Sequence, residues 1–70
     1  MIDEVLYMQV RIFRMFCERA GTDPRVANRL FLQAGIWKYI VDCFDSLHLG
    51  GDELVYEDVQ RLLRRQGVAA

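Results

Sequence analysis

The chain has 70 residues, of which 53% are hydrophobic, and nine Lys and Arg are set against ten Asp and Glu for a formal net charge of −1. This length predicts one domain, residues 1–70, and the hydrophobic content excludes a disordered chain. The near-neutral charge gives no general attraction to nucleic acid or to an anionic membrane surface.

Several features of the sequence concern the compartment. The N-terminus is acidic where a signal peptide is basic, and Arg11 and Arg14 interrupt the first apolar run. No stretch approaches the roughly 20 apolar residues that a membrane span requires. Cys17 and Cys43 are too few for a disulfide framework. We therefore expect a cytoplasmic protein with two reduced thiols and no membrane association.

The first predicted helix covers residues 3–20, with Asp3 as its N-cap and Gly21 as the left-handed residue that ends it. Its apolar side chains cover roughly 220° of the circumference at about 100° per residue. A surface helix needs an apolar stripe only a little over about 100° wide. A chain of this size cannot bury such an excess alone, so the pattern predicts a protein partner, with a second copy as the leading candidate.

The remaining segments predict three more helices. Asp23 is the predicted N-cap of a second helix at Pro24–Gln33, and the third helix is predicted at Ile36–Leu47. Residues 54–56 are expected to form a short extended piece, because no strong N-cap precedes the last helix, predicted at 57–66. The predicted fold class is therefore all-α, a compact single domain of four helices.

The apolar positions divide into a predicted core and a predicted partner interface. The core is expected to contain Leu6, Phe13, Phe16, Leu30, Phe31, Ile40, Phe44, Leu47, Val59 and Leu62. The surplus apolar residues of the first and third helices form the candidate interface: Val5, Met8, Ile12, Met15, Trp37 and Val41. Flexible methionine thioethers adapt well to a partner surface, which favours this choice.

One polar constellation recurs at three-residue spacing. Asp42, Asp45 and His48 offer two carboxylates and an imidazole, which are ligand types for a divalent ion. Steps of three residues drift by about 60° around a helix, however, and no fourth ligand is evident. We favour a structural interpretation, in which His48 lies in the last turn of the third helix and a ring N–H reaches a carbonyl or Asp45. We predict no metal and no cofactor.

Cys17 and Cys43, together with His48, also raise the question of a nucleophile and a base. Catalysis would require hydrogen-bond reach, an orienting group and an oxyanion site. None of these is evident in the sequence, and both cysteines lie within apolar helical patterns. We therefore interpret the thiols as inert core residues and predict that the protein is not an enzyme.

A specific order of residues occupies the second half of the chain: Phe31-x-x-Ala34-Gly35-x-x-x-Tyr39-Ile40-x-Asp42-x-Phe44-Asp45-x-Leu47-His48-x-x-Gly51, then Val55-Tyr56-x-Asp58-Val59. This order resembles a small bacterial family catalogued as domain of unknown function 3791. The turn Leu47-His48-x-x-Gly51 is the most specific part of the resemblance, and with Asp45 we expect it to be a structural motif. Relatives usually carry Tyr where this chain has Phe44. The resemblance implies a helical fold and an accessory or antitoxin-like role, because some relatives are encoded near proteins resembling ADP-ribosyltransferases.

The expected function is binding, as a non-enzymatic protein–protein interaction or regulatory module that forms a homodimer or a complex with another protein. The alternative is a small helix-turn-helix-like DNA-binding regulator, because residues 24–47 are predicted to form two helices joined by a short corner. Lys38 beside two aspartates suits a recognition helix poorly. Nucleic-acid contacts would then come from the last helix: Arg61, Arg64 and Arg65.

Overall fold

The computed structural model describes residues 3–67, which form four helices and no strand. The helices are α1 (Glu4–Ala20), α2 (Pro24–Gln33), α3 (Ile36–Leu47) and α4 (Asp52–Arg65). The predicted all-α fold of four helices is confirmed; residues 1–2 and 68–70 of the predicted domain lie outside the described part. Within residues 3–67, no helix has both the length and the apolar character that a membrane crossing requires.

The ends of α1 and α2 follow local capping chemistry. Asp3 Oδ1 accepts hydrogen bonds from the backbone N–H groups of Val5 (3.0 Å) and Leu6 (3.2 Å). Gly21 ends α1 with φ 62°, a left-handed conformation that favours glycine. Asp23 caps α2 through the N–H of Arg25 at 2.7 Å. These caps confirm the predicted starts of both helices.

The start of α4 differs from the prediction. Residues 54–56 are helical rather than extended, and α4 begins at Asp52 instead of residue 57. Its N-cap is Gly51, which makes no side-chain cap hydrogen bond. The first turn instead carries two carboxylates, Asp52 and Glu53, that stabilise the positive end of the helix dipole.

The core forms where all four helices meet. Helix α1 packs against α2, α3 and α4, and α3 also packs against α2 and α4, so these two helices are central. The buried hydrophobic residues of the described part are Met8, Ile12, Phe16, Ala27, Phe31, Ile36, Ile40, Leu47, Val55, Tyr56, Val59 and Leu63.

The predicted core is largely confirmed, with one error. Five of its residues are buried and four are partly buried against the core: Phe16, Phe31, Ile40, Leu47 and Val59 in the first group, and Phe13, Leu30, Phe44 and Leu62 in the second. Leu6 is the error, because 55% of its surface is exposed. On α1 the apolar residues form two adjacent stripes, and the one that contains Met8, Ile12 and Phe16 faces inward.

The predicted partner interface needs a larger correction. Met8 and Ile12 are core residues, 3% and 0% exposed, so neither is available to a partner of the folded chain. Val5 and Met15 are partly buried against the core. Trp37 packs on Phe13 and Phe31 with ring centroids 5.2 and 5.1 Å apart, and its indole N–H donates to Asn28 Oδ1 at 2.9 Å. Val41 alone of the predicted set is exposed, at 53%.

Candidate functional site

An open groove lies where the N-terminal half of α1 faces the end of α3 and the start of α4. Its volume is about 490 Å³, and it is lined by Glu4, Tyr7, Met8, Arg11, Phe44, His48, Gly51 and Asp52. His48 and Gly51 belong to the turn that carries the most specific part of the family resemblance. The groove therefore includes part of the turn that is the most specific segment of the resemblance.

His48 holds the end of α3 and one wall of the groove. Its backbone N–H donates to the carbonyl oxygen of Phe44 at 2.9 Å, and its ring Nδ1 lies 2.8 Å from the same oxygen. The imidazole also stacks on the Phe44 ring, with centroids 5.1 Å apart and planes 15° from parallel. A carbonyl oxygen only accepts, so Nδ1 carries the proton, and in the neutral ring Nε2 is an acceptor. The ring of His48 thus lies against a carbonyl, one of the two partners that the sequence predicted, and not against Asp45.

Two other residues of the turn fix its direction. Leu47 is 8% exposed and anchors the turn in the core. Gly51 has φ 82°, a backbone conformation that strains any side chain, and its carbonyl accepts from the N–H of Val55 at 3.3 Å. This conformation starts α4 directly after the turn and places Asp52 at the edge of the groove. Asp45, the other predicted motif residue, is exposed and does not line the groove.

The opposite wall consists of an ion pair and an aromatic ring. Arg11 Nε donates to Asp52 Oδ2 at 2.8 Å, and Arg11 Nη2 donates to Asp52 Oδ1 at 3.0 Å. These hydrogen bonds are the main cause that raises the pKa of Arg11 above its ordinary value. The guanidinium carbon also lies 4.6 Å from the centre of the Tyr7 ring, within the range of a cation–π contact. Arg11 thus joins α1 to α4 and orients Tyr7.

The groove combines an apolar floor with a polar rim. Met8 is buried and Phe44 is partly buried against the core, so their side chains form the floor. Glu4, at the N-terminal end of α1, contributes a carboxylate to the rim, and His48 Nε2 contributes a lone pair when the ring is neutral. Since Arg11 and Asp52 neutralise each other, the lining has a formal charge of −1 from Glu4.

Sequence reasoning missed five of the eight lining residues as site residues. Phe44 was predicted only as a core residue. Glu4, Tyr7, Arg11 and Asp52 were not predicted, because they meet His48 only after α1 folds against α3 and α4. Arg11 and Asp52 are 41 positions apart, and no local periodicity reports such a contact. The acidic pair at 52–53 was a signal for the start of α4, and the correct start would have placed Asp52 beside the turn.

The other polar residues that the sequence singled out lie elsewhere. Asp42 accepts from Lys38 Nζ at 2.7 Å, in an i, i+4 ion pair on the surface of α3. Among residues 3–67 there is no cluster of three or more His, Cys, Asp or Glu side chains with the geometry to hold a metal. Cys17 and Cys43 are free thiols, partly buried against the core and outside the groove lining. Burial is the main cause that raises the pKa of the Cys17 thiol.

The arginines of α4 form no part of the groove. Arg61 donates to Asp58 Oδ1 at 3.0 Å within its own helix, and Arg64 and Arg65 are exposed in the last turn. Cations at this end of a helix stabilise its dipole. These contacts describe a solvated helix face.

The fold and the groove define a small all-α domain with a recess beside the α3–α4 turn. The sequence profile of the family described as protein of unknown function (DUF3791) matches residues 8–66. The chain therefore belongs to this family, and the resemblance predicted from the sequence is confirmed. No curated protein and no solved structure shows significant similarity to the chain.

Proposed function

We propose that this protein is a non-enzymatic protein–protein interaction module that binds an apolar side chain of its partner in the groove beside the α3–α4 turn. The observation that carries the proposal is the construction of the groove. Its floor is apolar, at Met8 and Phe44, and Arg11 and Asp52 fix its far wall by binding each other.

The size and stiffness of the groove support recognition. Its volume of about 490 Å³ falls within the range of about 300–1,000 Å³ typical of preformed binding pockets. Both walls are held by hydrogen bonds and by stacking of side chains, at Phe44–His48 on one side and at Tyr7–Arg11 on the other. A preformed site loses less conformational entropy on binding, which favours affinity.

The rim indicates which partner segment fits. Glu4 supplies a carboxylate, and His48 Nε2 supplies an acceptor in the neutral ring, so the rim favours a segment with N–H donors and positive charge. We therefore propose a segment with Lys or Arg next to an apolar anchor residue. The half-buried free thiols of Cys17 and Cys43 support a reducing compartment, and we propose the cytoplasm.

Selection of binding segments from a random peptide display library on the purified chain tests this proposal. The selected peptides are expected to carry an apolar residue flanked by Lys or Arg. Glu4→Lys reverses the rim charge and should weaken their binding about tenfold, or about 1.4 kcal/mol. Glu57→Lys is the matched control, because Glu57 is exposed on α4 and outside the groove lining. Equal weakening by both variants, or peptides without basic residues, would contradict the proposal.

A further inference from the structure

Helix α1 carries a second apolar strip that faces away from the core. Leu6, Tyr7 and Val10 expose 55%, 54% and 46% of their surfaces. Leu6 and Val10 are four positions apart, and Tyr7 and Val10 three, so the three side chains are neighbours on the helix surface. The three side chains therefore form one continuous apolar surface on the N-terminal half of α1.

The strip has a charge of opposite sign at each end. Asp3 is the N-cap, three positions before Leu6, and Arg14 follows Val10 by four. The four helical residues Leu6, Tyr7, Val10 and Arg14 fall within an arc of about 100°. Asp3 Oδ1 caps the helix, and its carboxylate is exposed. Arg14 is also exposed and has no ion pair within residues 3–67.

The residues of the strip are spaced symmetrically along the sequence. The midpoint between Asp3 and Arg14 falls between positions 8 and 9, and so does the midpoint between Tyr7 and Val10. A two-fold axis at that point, perpendicular to α1, satisfies both pairs at once. It places Asp3 against the partner's Arg14 and Tyr7 against the partner's Val10, and two-fold symmetry repeats each contact.

We infer that a second copy of this chain binds the outer face of α1, with the two α1 helices antiparallel. Charge complementarity selects this arrangement, because parallel packing would set Asp3 against the partner's Asp3 and Arg14 against the partner's Arg14. The buried area is that of one helix strip, which belongs to the class of interfaces under about 1,200 Å². The dimer should therefore dissociate on dilution.

This inference corrects where the sequence placed self-association, and it does not depend on the groove. The dimer surface contains the exposed Leu6, Tyr7 and Val10, not the buried Met8 and Ile12. Tyr7 borders both surfaces, so the test uses residues that do not line the groove. Failure of the peptide selection would therefore not contradict the dimer, and absence of a dimer would not contradict peptide binding in the groove.

Sedimentation equilibrium of the purified chain over a roughly hundredfold range of concentration tests it. The wild-type chain should pass from monomer to dimer. Arg14→Glu should weaken dimerisation about tenfold, because Glu then faces the partner's Asp3. Leu6→Lys should do the same by placing a charge in the apolar strip. Arg29→Glu is the matched control: the same charge change on the exposed face of α2 should leave the dimer unchanged.

A charge-swap mixture makes the test specific for antiparallel packing. The Asp3→Lys chain and the Arg14→Glu chain should each dimerise about tenfold more weakly than the wild type when alone. When mixed they should form a heterodimer at the wild-type concentration, because each contact then joins opposite charges. Circular dichroism checks that the Asp3→Lys chain folds without its cap; if it does not, Arg14→Glu and Leu6→Lys still decide. A wild-type chain that is monomeric throughout, or a dimer insensitive to both of these variants, would overturn the inference.

Discussion

Arg11 and Asp52 lie 41 positions apart in the sequence, and their side chains form an ion pair with two hydrogen bonds, of 2.8 and 3.0 Å. The pair joins the middle of α1 to the first residue of α4 and forms one wall of the groove. Asp52 also lies at the helix N-terminus, where the dipole favours a carboxylate. One contact thus fixes both the packing of two helices and the shape of the candidate site.

A double-mutant cycle with Arg11→Gln and Asp52→Asn should measure a coupling of about 0.5–1 kcal/mol in urea unfolding. The two side chains are 38% and 36% exposed, so solvent screening keeps the value modest. Lys38 and Asp42 provide a matched control pair, because they are 81% and 53% exposed. Their coupling should be only a few tenths of a kcal/mol. Equal coupling in the two pairs would show that the Arg11 contact does not join the helices.

Ile12→Ala should lower the free energy of unfolding by about 2–5 kcal/mol, because it leaves a cavity at a fully buried position. Val10→Ala, on the same helix but 46% exposed, should cost less than about 1 kcal/mol. Urea denaturation of both variants at a concentration where the chain is monomeric measures the difference. Similar costs would contradict the orientation of α1.

His48→Gln should lower the free energy of unfolding by about 0.5–1.5 kcal/mol, since it removes the ring hydrogen bond to the Phe44 carbonyl. The wild-type ring should also show one tautomer when neutral, with the proton on Nδ1. Long-range nitrogen–proton NMR correlations of the imidazole distinguish the two nitrogens. A proton on Nε2 would contradict the capping geometry and remove the acceptor proposed at the rim.

Stability should fall at alkaline pH. Burial is the main cause that raises the pKa of Tyr56 above its ordinary value of 10.0, because it disfavours the phenolate. The unfolded chain therefore loses this proton at lower pH than the folded chain does. The contribution to stability is complete below the ordinary pKa and is lost as the pH rises through the folded pKa. Tyr56→Phe should flatten this decline in urea unfolding above pH 10.0; an unchanged decline would contradict it.

The bounds of α1 and α2 could be predicted because their signals are local. Asp3, Gly21 and Asp23 act on backbone groups within a few positions, so the residue type at each boundary determines the cap. The start of α4 lacks such a signal, since Gly51 offers no side-chain acceptor. The missing cap therefore made residues 54–56 resemble an extended segment.

The orientation of α1 could not be predicted, because its hydrophobic periodicity is equally compatible with either of two apolar stripes facing the core. One stripe contains Met8 and Ile12, and the other contains Leu6 and Val10, both at four-residue spacing. Only packing against the other helices decides between them, and it buries Ile12 completely while leaving Leu6 exposed. The groove depends on the same packing, which is why His48 was predicted and Arg11 was not.

The most direct test of the proposed function is a map of backbone amide NMR shifts as a selected basic–apolar peptide is added to the chain. Shifts should concentrate at Tyr7, Phe44, His48 and Gly51, which line the groove, and should leave the exposed face of α2 near Leu32 unchanged. Shifts centred on α2, or spread evenly over the molecule, would contradict a binding module that recognises its partner in this groove.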